Sequence, residues 1–458
     1  MFHKIPFPMS GLLALVLASG LNAWAQRTPA PAASSGPISA IGAADDAEVG
    51  LPEADAEILD VPASSIKLPS LGGMPQLFTY GLRVMQVADT NTSQVGRGTS
   101  LQSATIISGT TALNRSWGRN GFGLNYNGAE SIFAGGGLGT QLASTHQVGV
   151  NLSLSRRRWS LNLSEAASYS PQSSFGLGLY GGLGSNPLGF SSGLRGGLTP
   201  NDSVLNAGTR INTNTMAEVG YQLGPRNSLR ASAGFGKLLF QGDSDFANND
   251  QYNFSFGMDR ILSQRSNVSF HYTHFRTTSS AFSSVQTHAV LAGYSRRLTP
   301  RMVVQLSAGP QIQTRAAQGL PNTTQWTTSN ALLFQMRRSA VNLTYSAGIV
   351  GGSGVYGAAE NHTVQAALSR PLGRFWGAGF NFGYALNSGV DAFSSIRAQY
   401  GGITMSRRAA GAGLSLSYQF QHQSIGGTCT GLACSAFGGW RHTVGLGLDW
   451  VFRPVRIG

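Results

Sequence analysis

A chain of 458 residues in which only 11% are charged and 61 are glycine is too poor in charge to keep a soluble protein of its size hydrated, since average chains carry about 25% charged residues. Its formal net charge of +13 raises nucleic acid as a partner, but the arginines cluster at turns and not among stacking aromatics, which argues against a nucleic-acid site. Beyond residue 25 no apolar run reaches about 18 residues, so no transmembrane helix is predicted.

Residues 1–25 carry Lys4, the apolar core GLLALVLASGL at 11–21 and the small-x-small site Ala23-Trp24-Ala25, the pattern of a secretory signal peptide cut after Ala25. No cysteine follows that site, so a lipoprotein anchor is not expected. Residues 26–76 are rich in Ala, Pro and Ser and hold Asp45, Asp46, Glu48, Glu53, Asp55, Glu57 and Asp60. They show no apolar period, which predicts a flexible segment, either a plain tether or a contact site for a partner.

From Leu77 onward one unit recurs: an alternating strand, a tight basic turn, a returning strand and a longer Gly/Ser/Asn loop. The turns fall at 156–158, 224–227, 263–266, 299–301, 337–339, 371–374 and 407–409. In strand 252–259, Tyr252, Phe254, Phe256 and Met258 alternate with Asn253, Ser255, Gly257 and Asp259. Strand 341–349 sets Val341, Leu343, Tyr345, Ala347 and Ile349 against Asn342, Thr344, Ser346 and Gly348. Strands 376–387 and 412–421 repeat the pattern, while 78–87 and 103–113 show it more weakly.

The last of these segments, WRHTVGLGLDWVF at 440–452, puts His442, Val444, Leu446, Leu448, Trp450 and Phe452 on one face and Thr443, Gly445, Gly447, Asp449 and Val451 on the other. In hydrocarbon the unpaired backbone of a terminal strand costs several kcal/mol per group, so it must close on the first strand.

A terminal aromatic on an alternating strand, with short turns alternating with long loops, resembles bacterial outer-membrane β-barrel proteins, porins in particular. In that family the chain usually stops at the aromatic, whereas six residues, RPVRIG, follow Phe452 here. The resemblance implies an all-β, transmembrane, antiparallel up-and-down barrel over 77–458, with short turns periplasmic and long loops extracellular. Counting strands gives 18, and one hairpin fewer gives 16. The barrel-assembly machinery and the lipid bilayer are then the implied partners, and the leader 26–76 is periplasmic.

Inward positions are mostly Ser, Gly, Asn, Gln and Thr, with lumen-lining charges expected at Arg83, Glu218, Arg230, Asp259, Arg397 and Asp449. Neutral hydrogen-bonding walls suit passive diffusion of small hydrophilic solutes. The alternative is a non-pore barrel serving surface polysaccharide export or anchoring, or an envelope scaffold. The longest irregular stretch, 170–211, is the third external loop by strand parity and carries only Arg195, Asp202 and Arg210 as charges. In porins this loop folds into the lumen; an inward fold and an outward cap both remain open here, as does a homo-oligomer.

His146, His288, His362 and His442 each open a strand after an external loop, with Val148, Val290, Val364 and Val444 two residues on, so all four point outward at the outer interface. They are expected as interfacial belt residues or as contacts to lipopolysaccharide phosphates. Arg156, Arg157, Arg296, Arg297, Arg337, Arg338, Arg407 and Arg408 are expected at the periplasmic rim. Cys429 and Cys434, four residues apart in an exported chain, predict a small disulfide loop. No catalytic, cofactor or metal constellation is read: His271 and His274 fall on opposite faces of a strand, and Glu165 is a lone outward carboxylate expected near the outer rim.

Overall fold

The computed structural model describes residues 77–90, 101–134, 141–170, 209–241, 247–280, 284–315, 322–351, 358–389, 395–409, 412–426, 439–452 and 455–456. The signal-peptide stretch, the acidic leader, the loop 171–208, and Cys429 and Cys434 lie outside the described residues.

The strands are β1 (Leu77–Asp89), β2 (Gln102–Trp117), β3 (Asn120–Ala134), β4 (Gln141–Ser155), β5 (Trp159–Ser170), β6 (Thr209–Gln222), β7 (Asn227–Gln241), β8 (Asn249–Ser263) and β9 (Ser266–Ser279). The second half holds β10 (Val285–Thr299), β11 (Met302–Arg315), β12 (Thr323–Gln335), β13 (Ala340–Gly351), β14 (Ala358–Pro371), β15 (Trp376–Gly389), β16 (Ser395–Ala409), β17 (Ala412–Gly426) and β18 (Gly439–Val451). A two-residue piece, β19 (Val455–Arg456), follows. Each strand pairs antiparallel with its sequence neighbours, and β18 pairs with β1 from Gly81↔Val451 to Asp89↔Thr443, which closes an 18-strand barrel. Strands of 12 to 16 residues exceed the roughly 9–11 needed for a tilted crossing.

Closure is what the sequence demanded, and the tail takes part in it. Beyond Phe452, whose N–H donates to the Tyr80 carbonyl at 3.3 Å, Val455 and Arg456 pair with Phe78 and Leu77. The residues after the aromatic therefore lengthen the closing seam.

The faces sort as the alternation predicted. On β18, Val444, Leu446 and Leu448 are 46–52% exposed, while Thr443, Gly445 and Gly447 between them are buried toward the interior. Apolar surface facing water costs about 25 cal/mol per Å², so a continuous outward row of this kind faces lipid. The two weaker segments form full strands, β1 and β2, and their interior rows are partly apolar: Met85, Val87 and Ile106 pack together inside the wall. That inward grease is what blurred their alternation.

Aromatic residues mark both rims. At the turn end, Arg156 lies over Trp159 (5.8 Å), Arg407 over Trp376 (5.6 Å) and Arg374 over Phe375 (5.5 Å). Toward the loop end stand Tyr252, Trp326 and Trp440, all exposed, with the exposed Tyr272, Tyr345 and Tyr418 nearer mid-wall. Such paired girdles bracket the apolar band of a membrane barrel. Between β10 and β11 the ladder skips from Ala289↔Gln311 to Ala292↔Ala308; Pro310 sits in the gap and has no N–H to give.

Candidate functional site: the lumen and its outer mouth

Among the described residues, the ion-paired lumen charges fall in two arcs. In the closing arc, Arg83 Nε lies 3.1 Å from Asp449 Oδ1, and Arg83 Nη2 donates to Ser415 Oγ at 3.1 Å. Register explains the meeting, since Arg83 stands opposite Asp449 across the seam. Gly447 makes room for it: a Cβ there would lie 2.6 Å from Ser415 Oγ and 3.2 Å from Arg83 Nε. Farther toward the loops, Arg441 Nε donates to Asp89 Oδ2 at 2.8 Å, with both residues buried.

The second arc runs over β6–β9. Arg230 Nε is 3.3 Å from Glu218 Oε1, its Nη2 is 3.8 Å from Asp259 Oδ2, and Asp259 Oδ1 is 3.3 Å from His271 Nε2. Gly257 lets the imidazole lie against the wall, because a Cβ there would meet His271 Nδ1 at 2.1 Å. Arg83, Glu218, Arg230, Asp259 and Asp449 thus share the inward rows, joined by Asp89, Arg441 and His271, which sequence reasoning passed over. Parity alone places those three: Asp89 and Arg83 share a row, as do Arg441 and Asp449, and His271 stands beside Gly257.

Arg397 is a correction. The inward row of β16 is Ile396, Ala398 and Tyr400, and Arg397 faces outward opposite Leu386, exposed. Glu165 is also shifted: it is the seventh of the 12 residues of β5, opposite Val150 and Thr215, and so stands mid-wall and not at the rim. The strand begins directly after the turn at 156–158, which lowers every residue in it. Arg210, the one charge of the long third loop region within the described residues, lies on β6 opposite Phe240.

Between the charged arcs, β11–β15 present amides and hydroxyls inward. Gln305, Gln311 and Gln313 of β11, Asn342 of β13, Asn361 and Thr363 of β14 and Asn387 of β15 are all buried within the wall's inner face.

The wall parts at one place. β12 and β13 pair from Gln335↔Ala340 only to Thr328↔Ala347, whereas β11–β12 pairing continues to Gln313↔Thr323 and β13–β14 pairing to Gly351↔Ala358. At and past the split, outward-row residues of the β13–β14 hairpin are buried: Ala347 and Ile349 at 7% exposure and Ala358 at 1%. Ile349 and Ala358 pack on Val285, which belongs to the inward row of β10. The Ile349 N–H donates to Gln311 Oε1 at 3.2 Å, an inward side chain of β11. The loop end of this hairpin therefore lies inside the wall made by β10–β12, and it narrows the outer mouth. Residues of the inward rows near that mouth are the most enclosed described, with Val285, Ala385 and Ala398 at 0%. No sequence signal marked this hairpin; the nearest is Ile349, an apolar residue whose outward parity gives no hint of a protein neighbour.

The four histidines stand as a set. Tyr126, Tyr272, Tyr345 and Tyr418 place their hydroxyls 3.0, 2.7, 3.4 and 3.0 Å from Nδ1 of His146, His288, His362 and His442. In each case the Tyr is directly opposite the Val two residues after the His. His274 faces outward beside His288, with ring centroids 4.6 Å apart.

A closed barrel of 18 strands with a lipid-facing exterior, a polar and ion-paired interior and aromatic girdles at both rims defines an outer-membrane β-barrel protein of porin-like architecture. Among solved structures, it is similar to OccAB4 of Acinetobacter baumannii (TM-score 0.43, 7% identity, 83% of this chain and 99% of that chain covered). It is also similar to Pseudomonas aeruginosa OpdK with vanillate (TM-score 0.42, 11% identity, 82% and 98% covered) and to the FrpB iron transporter of Neisseria meningitidis (TM-score 0.44, 9% identity, 83% of each chain covered). No protein-family model matches the sequence, and no curated protein matches it.

Proposed function

We propose that this barrel is a porin-like channel for passive diffusion of small, uncharged, hydrophilic solutes. The observation that carries the reading is the state of the lumen charges: Arg83 with Asp449 and Arg441 with Asp89 balance one for one, and Arg230 lies between Glu218 and Asp259, so these charges are held in ion pairs along the wall and leave at most one excess carboxylate among them. The β11–β15 wall adds neutral hydrogen-bonding groups. A solute moving along such a wall exchanges water for amide and hydroxyl partners without a charge requirement.

The test is conductance of the purified protein in planar bilayers together with swelling of protein-loaded liposomes in neutral sugars. A steady channel with weak ion selectivity and size-limited sugar uptake supports the reading; a silent bilayer with no swelling removes it. The enclosed outer mouth favours a second reading, a non-pore barrel for surface polysaccharide export or anchoring or for scaffolding, which a silent bilayer would support.

The same reading takes residues 1–25 as a cleaved export signal and 26–76 as a periplasmic leader. It takes the assembly machinery as a partner recognising the β18 aromatics, leaves a homo-oligomer as an arrangement to be measured by mass, and takes Cys429–Cys434 as a disulfide to be measured by thiol titration.

A further inference from the structure

We infer that the outward face of β9–β10 at the loop end binds the phosphate of an outer-leaflet glycolipid. Reading outward rows from the turn end, β10 goes Arg296, Tyr294, Ala292, Val290, His288 and β9 goes Val268, Phe270, Tyr272, His274, Arg276. The apolar band is thus bounded at the turn end by Arg296 and at the loop end by three cationic or titratable groups. Register sets His274 opposite His288 and Arg276 opposite Gln286, the next outward pair along. The three basic side chains consequently share one patch where the acyl region gives way to headgroups.

Among the described residues, neighbouring chemistry leaves this patch without an anion. Arg276 is exposed and has no ion pair among the described residues. Asp250, an outward carboxylate on the adjacent β8, lies 3.9 Å from Lys237. Tyr272 holds His288 at Nδ1; with the imidazole neutral, the hydroxyl donates there and the ring proton sits on Nε2, which makes His288 a donor toward the headgroup layer. A guanidinium fork beside imidazole N–H donors is suited to a phosphate monoester, and the two-pronged contact favours phosphate over a carboxylate-free sugar.

The other Tyr–His pairs supply an internal control. At β3–β4 the corresponding His146 lies between Tyr126 and Tyr169, ring centroids 6.2 Å from each, with the outward carboxylate Glu130 on the same face opposite Ser144 and, among the described residues, no guanidinium beside it. It provides the same belt geometry without the anion chemistry.

The experiment uses the full folded protein in detergent, titrated with bisphosphoryl lipid A, with enzymatically dephosphorylated lipid A and with inorganic phosphate, and read by retained lipid in native mass spectrometry and by thermal unfolding. Heat-modifiable gel migration verifies folding of each variant. Expected are retention of bisphosphoryl lipid A, an affinity loss of about tenfold or more in the R276Q/H274Q/H288Q triple variant and a smaller loss in Arg276→Gln, and no change in His146→Gln. Equal retention of dephosphorylated lipid A, an unchanged triple variant, or an equal loss in His146→Gln would overturn the inference. Saturation by inorganic phosphate at concentrations matching lipid A would reassign the patch to a free anion and overturn it as well.

Discussion

Two junctions of the same cylinder are built in opposite ways. Between β18 and β1 no turn connects the strands, yet nine residue pairs and the β19 extension hold them, and ion pairs cross the seam at the half-buried Arg83–Asp449 and the buried Asp89–Arg441. Between β12 and β13 a tight turn tethers the strands, and the ladder nonetheless stops at Thr328↔Ala347. Where connectivity gives no help, side chains supply specificity; where a turn fixes the inner end, the outer end is free to serve the mouth.

That contrast is broken most severely at the closing seam. Asp89→Ala or Arg441→Ala strands a buried charge, and a loss of roughly 3–5 kcal/mol is expected, read as a lower temperature for loss of the compact, heat-modifiable form. The double variant Asp89→Leu/Arg441→Met is expected to lose less than either single change.

At the parted junction, Ile349→Asp places a carboxylate against Val285 and Ala358. The expected stability loss is about 2 kcal/mol, accompanied by a rise in single-channel conductance as the hairpin leaves the mouth. Unchanged conductance would mean the hairpin does not limit the lumen. Gln311→Leu removes the acceptor of the Ile349 N–H and is expected to cost about 1–2 kcal/mol, with conductance shifted in the same direction but less.

The smallest effect sharpens the comparison at the belt. Tyr345→Phe and Tyr418→Phe each remove one exposed hydroxyl contact to a histidine, and each is expected to change stability by about 0.5 kcal/mol or less. A larger loss for Tyr345→Phe would show that the belt helps hold β13–β14 where the wall divides.

Much of this was legible before any coordinates. Period-two alternation in β8, β15, β17 and β18 fixed strand type and outward face, and basic turns at 156–158 or 337–339 fixed the short-turn end. The barrel class followed from backbone energetics in lipid. Lumen charges were half legible: parity finds Arg83 and Asp449, but only register shows that they meet, and Arg397, expected inward, stands on the outward row of β16 opposite Leu386. Ile349 could not be anticipated, because alternation reports which side of a strand is greasy and not whether lipid or protein covers it. For the histidines the sequence offered a recurrent His-x-Val, while the tyrosine partner lies on the preceding strand, 16 to 24 residues away.

The hydrogen bond from Arg83 to Ser415 and that from Arg441 to Asp89 span 332 and 352 positions of chain. Contacts of such sequence separation make assembly slow, because the loop they close is nearly the whole molecule. A truncated product lacking β18 would have every other ladder and yet two raw edges, open to pairing with whatever strand comes first. Quality control of this protein in the envelope therefore reduces to one late event, the meeting of its first and last hairpins.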